Sequence, residues 1–230
     1  MFLSAICSVQ PALAETSIKG WLLNQHCYML GDETLYVTPE AIRVEWKSQG
    51  TVMLCQAPDF KLILFNPTSR RYYETADSNA RKLMSQRISM IAGLESSPKD
   101  FQPAGKGQIA GVSATRLEPQ SHARHGPFCK EFWIADQMRV LPRLADAYCH
   151  YISAPAIGKL PLQLVNLDPD DHVNKFLVCK ECRQLSIPAS TFVVPKSYQR
   201  VASDTQIMVN DSDVGSIFDL EPEPKKNKKK

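Results

Sequence analysis

AIRVEWK, residues 41–47, alternates apolar and charged side chains in strict order. In an extended chain, Ile42, Val44 and Trp46 lie on one face, and each is followed by a charged residue on the other face. A period of two is typical of an antiparallel strand with one face on a core and one face in water. This stretch therefore predicts an antiparallel sheet with a buried face.

Short apolar stretches, separated by turn residues, flank this strand on both sides. Their close spacing favours a meander, in which each strand pairs with the next one in sequence. A helix over 77–93 is predicted to follow, because apolar residues recur there at helical spacing and Gly93 ends the pattern. The predicted strands of this half are 18–30, 34–37, 41–47, 51–58, 60–66 and 70–75.

The second half of the chain also reads mainly as strands. A loop is expected over 96–107, and Pro142 favours the start of a second helix, PRLADAYCHYI. Strands dominate and helices interrupt them twice, so the predicted fold class is α+β. The predicted strands of this half are 108–119, 128–136, 160–167, 175–188 and 191–195.

The charge of the chain is concentrated at its C-terminal end. Five of the 27 basic residues lie in the last six positions, KKNKKK, which leaves 22 basic residues against 24 acidic ones. A near-neutral body gives no support for nucleic-acid binding by the folded part. The lysine tail is predicted to be disordered, and its expected contact is a weak one with an anionic surface or a nucleic acid.

The N-terminus has the pattern of an export signal. The apolar stretch FLSAICSV precedes Ala12-x-Ala14, a small-residue motif that predicts cleavage after Ala14. The alternative is an N-terminus that is disordered or forms a strand. No other apolar run approaches the ~20 residues of a membrane span, so the expected location is the periplasm or the extracellular space. The predicted organisation is a signal peptide at 1–14, a folded domain at 15–202, and an arm with the disordered tail at 203–230.

Cleavage after Ala14 would remove Cys7 and leave an even number of cysteines. In an exported chain, an even number favours structural disulfides, but the sequence does not fix which cysteines pair. The candidates are Cys27, Cys55, Cys129, Cys149, Cys179 and Cys182.

The stretch FLVCKECRQLSIP, residues 176–188, raises the question of a metal or redox site. On a straight strand, Cys179 and Cys182 would lie about 10 Å apart and would point to opposite faces. A bond between them needs a bulge or a turn at 180–181. Zinc needs about four ligands, and only His172 lies close in sequence. Disulfides to other strands are therefore favoured, with a local bond and a metal or redox role as the alternatives.

The remaining polar clusters have no catalytic or metal-binding pattern. SHARHG (121–126) and DPDDH (168–172) are predicted to be polar turns. His150 and Cys149 are neighbours on a predicted helix and would not face each other. The glycine-rich stretch at 105–111 lacks the features of a phosphate-binding loop. We therefore predict no enzymatic activity, no catalytic residue, no metal and no cofactor.

Five stretches resemble a known family: AIRVEWK, DFKLILFNPTSRRYYE (59–74), KEFWIAD (130–136), GKLPLQLV (158–165) and IPASTFVVPKSYQRV (187–201). The last of these, with Phe192, Pro195 and Tyr198, resembles the ending of periplasmic half-barrel proteins similar to the outer-membrane lipoprotein carriers LolA and LolB. The resemblance covers about residues 18–201. It implies a curved antiparallel sheet, a half-barrel, with helices covering its concave face, no catalytic residues and an apolar ligand.

The expected function is a non-enzymatic exported protein that binds an acyl chain or another apolar ligand, such as a lipid or an acylated protein. The alternative is a structural or interaction protein of the cell envelope with a filled core and no ligand. The predicted cleft residues are Trp46, Leu62, Leu64, Trp133 and Phe192.

Overall fold

A computed structural model describes residues 16–76, 98–120, 128–167 and 173–207. The predicted signal peptide, the predicted helix at 77–93, the turns SHARHG and DPDDH, and the lysine tail lie outside these residues. No helix in the described part has the length and the apolar character that are needed to cross a membrane.

Within these described ranges, twelve strands form a single open sheet. Neighbouring strands are antiparallel, except that the short last strand runs parallel to its neighbour. The strands are β1 (Ser17–Cys27), β2 (Gly31–Val37), β3 (Ala41–Trp46), β4 (Thr51–Gln56), β5 (Leu62–Asn66), β6 (Arg71–Thr75), β7 (Phe101–Ile109), β8 (Val112–Pro119), β9 (Phe128–Ala135), β10 (Pro161–Leu167), β11 (Val173–Pro188) and β12 (Gln199–Arg200).

The sheet consists of two meanders that meet at one seam. Strands β1 to β6 follow each other in space as they do in sequence, and so do β7 to β11. The seam is the pairing of β1 with β11, which runs from Ser17 opposite Pro188 to Cys27 opposite Leu177. The predicted meander of the first half is confirmed by this order.

The predicted fold class is wrong, because the described residues form mostly sheet and do not place helices over a concave face. They contain one α-helix, α1 (Pro142–Ile152). The expected loop at 96–107 is largely strand β7, which forms a hairpin with β8. Ala110 and Gly111 turn this hairpin with positive φ angles of 49° and 79°, the combination that a tight antiparallel turn needs. The glycines and the proline of β7 led us to expect a loop, although an edge strand tolerates both.

Helix α1 was predicted correctly, and it lies on one face of the sheet. Pro142 occupies its first turn, where a missing N–H costs nothing, and Ser153 ends it in the left-handed conformation. Tyr151 stacks on Trp46 of β3, with ring centroids 4.4 Å apart. We call the face that carries Ile42, Val44 and Trp46 the inner face; its side chains form the larger core cluster together with α1.

A segment of irregular structure covers the opposite, outer face. Residues 189–198, which we call the strap, begin with a short 3-10 helix (Ala189–Phe192) and continue without regular structure to β12. Phe192 is buried in a second core cluster with Leu54 and Phe65. The expected strand at 191–195 is therefore wrong. Strand β12 then pairs with β6 and fixes the far end of the strap.

Candidate functional site

A pocket of about 290 Å³ lies between the strap and the outer face of the sheet. Its floor comes from strands β4 to β6 and its roof from the strap. The polar residues at its rim are Gln56, Glu74 and Lys196. Its apolar and aromatic lining includes Leu54, Ile63, Tyr72, Phe192, Pro195 and Tyr198.

The register of the sheet builds the floor of the pocket. Leu54 of β4 lies directly opposite Ile63 of β5, and Ile63 lies opposite Glu74 of β6. Opposed residues in an antiparallel pair point to the same face. This row therefore runs from an apolar to a charged end across three strands. Leu54 is buried, but Ile63 is only half-buried and remains available to a ligand.

Aromatic rings form one wall of the pocket. Tyr72 lies opposite Phe65 in the β5–β6 pair, on the same outer face. Tyr198 from the strap packs edge-on against the Phe65 ring, with centroids 5.8 Å apart. The wall thus combines side chains from the sheet and from the strap, and its shape depends on the position of the strap.

Arg43 anchors the strap to the sheet. Its Nη1 donates to the carbonyl oxygen of Thr191 at 2.9 Å, and its Nε donates to Glu45 Oε1 at 2.7 Å. The guanidinium carbon lies 5.2 Å from the centre of the Phe65 ring, within cation–π range. One side chain therefore contacts strand, strap and aromatic wall together.

The charged rim of the pocket faces water. Lys61 Nζ donates to Glu74 Oε1 at 2.8 Å and forms an ion pair with it. This hydrogen bond raises the pKa of Lys61 above its ordinary value. Lys196 and Gln56 are exposed. The rim can therefore receive the polar end of a ligand whose apolar part enters the pocket.

A second group of polar side chains is buried beneath α1 at the inner face. Trp46 Nε1 donates to Glu33 Oε2 at 2.7 Å, and the hydroxyl of Tyr148 contacts the other oxygen of Glu33. Burial raises the pKa of Glu33 to about 7. Glu33 is 2% exposed and Tyr148 is fully buried, so these groups have no access to a substrate.

The structure does not bring the five predicted cleft residues into one cleft. Trp46, Leu62 and Leu64 lie in the packed inner core, where Trp46 is 1% exposed. Trp133 lies on β9, where its indole N–H donates to Glu131 and its ring occupies the space that a side chain at 107 would need. Phe192 alone of the five lines the pocket. A role of the other four in ligand binding stays a prediction.

Sequence reasoning missed most of the pocket, although a signal was present. The stretches TVMLC in β4 and LILF in β5 are apolar at every position except Thr51. A strand with one face in water would alternate instead. Continuous apolar stretches therefore indicated that both faces of β4 and β5 are covered. Leu54 and Ile63 lie on the outer face of these strands.

The cysteines are mostly buried. Cys27, Cys129, Cys149, Cys179 and Cys182 have free thiols in this structure, and Cys55 is buried. Burial raises the pKa of Cys27 to about 11 and that of Cys129 to about 12. Disulfides between these residues stay a prediction.

A bulge changes the geometry that we expected for Cys179 and Cys182. The register of β11 against β1 shifts next to Lys180, so that Cys182 lies opposite Leu23 and Cys179 lies opposite Gln25. Because residues two apart on β1 share a face, both cysteines lie on the inner face. The bulge that a local bond would require is therefore present. Within the described residues, no group of three or more His, Cys, Asp or Glu side chains could hold a metal ion.

Comparisons with known proteins gave weak structural similarity only. No family model matches the chain, and no curated protein matches it significantly. An uncharacterized conserved protein from Thermus thermophilus is similar with a TM-score of 0.45 and 13% identity, over 80% of this chain and 90% of that one. MucB in complex with MucA(peri) is similar with a TM-score of 0.35 and 12% identity, over 81% of this chain and 57% of that one.

A MucA/MucB complex from Pseudomonas aeruginosa gives a TM-score of 0.34 and 13% identity, over 81% of this chain and 58% of that one. This chain thus spans less than two thirds of the MucB chains. Because these TM-scores and identities are low, we base the proposals below on contacts within this chain.

Proposed function

We propose that the chain is a non-enzymatic exported binding protein, periplasmic or secreted, that holds an acyl chain or another aliphatic group in the outer-face pocket. The observation that carries this proposal is the half-buried apolar floor at Ile63 beneath a roof made by Phe192. A ligand that covers these side chains would remove apolar surface from water, with a gain of about 0.8 kcal/mol per buried CH₂.

The size of the pocket favours a slender ligand. Its volume of about 290 Å³ lies at the lower end of the range for small-molecule sites. Burial of about six methylene groups would contribute roughly 5 kcal/mol, part of which is offset by the ordering of the ligand. We expect one end of an acyl chain to enter and the rest to lie along the strap.

The carrier role implied by the sequence resemblance agrees with this proposal in ligand chemistry and differs in location. The resemblance placed the ligand on a concave face beneath helices. The site proposed here lies on the outer face, away from α1 and under the strap, and includes the residues Phe192, Pro195 and Tyr198 on which the resemblance was based.

The test is lipid binding by the purified full chain and by a matched pair of variants. Denaturing mass spectrometry should detect a co-purified acyl compound, and a fluorescent fatty acid should bind with a Kd of about 0.2–1 mM. Ile63→Glu should abolish this binding. Glu181→Gln, an exposed change on the same face, should leave it intact. If no acyl compound co-purifies and added fatty acid neither binds nor raises the thermal midpoint, the proposal is wrong.

A second candidate is an interaction protein of the cell envelope without a ligand. The packed inner core and the exposed Val193, 56% exposed on the strap, favour it. ANS fluorescence of the native protein separates the two candidates. A protein with an accessible pocket over apolar side chains should enhance ANS fluorescence, and added fatty acid should reverse the enhancement. A protein without such a pocket should not enhance ANS fluorescence.

A further inference from the structure

The polar side chains beneath α1 form one continuous line of hydrogen bonds through four strands and the helix. Trp46 Nε1 donates to Glu33 Oε2 at 2.7 Å, and Glu33 Oε1 contacts the hydroxyl of Tyr148. That hydroxyl also contacts Gln25 Oε1 at 2.7 Å, and Gln25 Nε2 donates to the carbonyl oxygen of Pro161 at 3.0 Å. The line therefore links β1, β2, β3 and β10 to the helix.

The order of donors along this line determines where the protons lie. The carbonyl of Pro161 can only accept, so Gln25 must direct its NH₂ group there and its oxygen to Tyr148. Tyr148 has a single hydroxyl proton, and it must go to Gln25 Oε1, which cannot donate. The Glu33 oxygen that contacts the Tyr148 hydroxyl must then carry a proton of its own. All contacts are satisfied together only when Glu33 is un-ionised.

Among the described residues, no Lys, Arg or His side chain contributes to the pKa shift of Glu33. The titratable groups that face it are Cys27 from β1, Cys179 from β11 and Tyr148 from α1, and Cys149 lies next to Tyr148. Trp46 of β3 offers a single N–H. Burial, the largest cause, raises the pKa of Glu33 to about 7, in agreement with the proton order.

We propose that Glu33 is a protonated acid that tethers α1 to the sheet, and that the tether opens when Glu33 loses its proton. An ionised Glu33 can only accept, so the Tyr148 hydroxyl would have to donate its hydrogen bond to the Glu33 carboxylate. Tyr148 and Gln25 would then face each other with two acceptor oxygens at a contact of 2.7 Å, and one of the two contacts of Tyr148 must break. The tether between α1 and the sheet would thus depend on pH.

The sign of the effect follows from the proton balance. The folded state holds the Glu33 proton to about pH 7, whereas an unfolded glutamate releases it near its ordinary pKa of about 4.3. The contribution of the tether to stability is therefore complete below about pH 4.3 and is lost as the pH rises to about 7. Above that pH the loss is constant.

The experiment compares the wild-type chain with Glu33→Gln across this range. A glutamine at 33 can accept from Trp46 with its oxygen and donate to Tyr148 with its NH₂, so it reproduces the protonated acid at every pH. The ratio of the wild-type folding constant to that of the variant should fall by up to about tenfold per pH unit between about pH 5 and pH 7. Amide hydrogen exchange in α1, corrected for intrinsic rates, should accelerate over the same range in the wild type only.

Histidines also titrate in this range, but their contributions cancel in the ratio because both proteins contain them. A ratio that is independent of pH overturns the proposal. If Glu33→Gln does not fold, ¹³C NMR of glutamate carboxyls in the wild type decides instead. One glutamate that titrates near pH 7 supports the tether, and glutamates that all titrate near about 4.3 exclude it.

Discussion

The two faces of strands β4 and β5 are both apolar, but they are covered differently. The inner face, with Ile42, Val44 and Leu64, packs with α1 into a continuous core in which these side chains are at most 3% exposed. The outer face is covered by the strap, which leaves Ile63 half-buried and a pocket of about 290 Å³. Adjacent residues of one strand therefore have different surroundings: one side packs in the core and the other borders the pocket.

We expect the largest effect from Trp46→Ala, which removes a side chain of the inner face. The variant loses the stacking on Tyr151 and leaves Glu33 without its indole donor. Urea unfolding should show a loss of about 3–5 kcal/mol, with fatty-acid binding unchanged in the protein that remains folded. Trp46→Phe, which keeps a ring for stacking, should lose only about 1–3 kcal/mol. If the Trp46→Ala protein binds fatty acid more weakly under conditions in which it is fully folded, the two faces are coupled.

Leu64→Ala and Ile63→Ala test the two faces of a single strand, β5. Leu64, 3% exposed on the inner face, should cost about 2–5 kcal/mol when truncated. Ile63, half-buried in the pocket, should cost about 1 kcal/mol and reduce fatty-acid affinity by at least about tenfold. Urea unfolding and fluorescent fatty-acid titration give both quantities. If the two variants have equal effects in both measurements, the assignment of the faces is wrong.

Arg43→Leu tests whether the strap shapes the pocket. The change removes the hydrogen bond to the Thr191 carbonyl and the contact with Phe65. We expect a loss of about 1–2 kcal/mol in unfolding free energy and weaker fatty-acid binding, because the roof is no longer held. Arg183→Leu is the control, since its ion pair with Glu181 is long, at 3.8 Å, and exposed. That variant should behave like the wild type in both measurements.

Lys196→Gln should have the smallest effect, and it concerns the ligand alone. Lys196 is exposed at the rim, so its removal should not alter stability. Its charge should favour a fatty acid over the corresponding alcohol by up to about fivefold. Isothermal titration with both compounds measures this preference, which the variant should lose. An unchanged preference would place the polar end of the ligand elsewhere.

Much of the sheet could be predicted from local patterns. The alternation in AIRVEWK and the turn residues around it indicated the first meander, and Pro142 with the apolar spacing behind it indicated α1. The pairing of β1 with β11 could not be predicted, because it joins residues that are far apart in sequence. Local periodicity identifies a strand but not its distant partner.

The site was harder to predict than the fold. Phe192 was identified through a resemblance, but Trp46, Leu62 and Leu64 were assigned to the same cleft although they face the other way. Aromatic and aliphatic residues look alike in sequence whether they fill a core or line a pocket. What separates them here is the cover over each face, and the strap has no periodic pattern that would reveal it.

The seam between the two meanders also affects how the chain folds. β1 is followed directly by β2 to β6, whereas its partner β11 comes much later in the sequence and ends at Pro188, so the first meander is complete long before its open side can be closed. Contacts of such large sequence separation slow folding, and an uncovered strand of this kind is prone to pair with another molecule. We therefore expect newly made chains to pass through a stage in which β1 is vulnerable to aggregation. A factor that shields this strand until the C-terminal hairpin arrives should raise the yield of folded protein more than any change at the pocket.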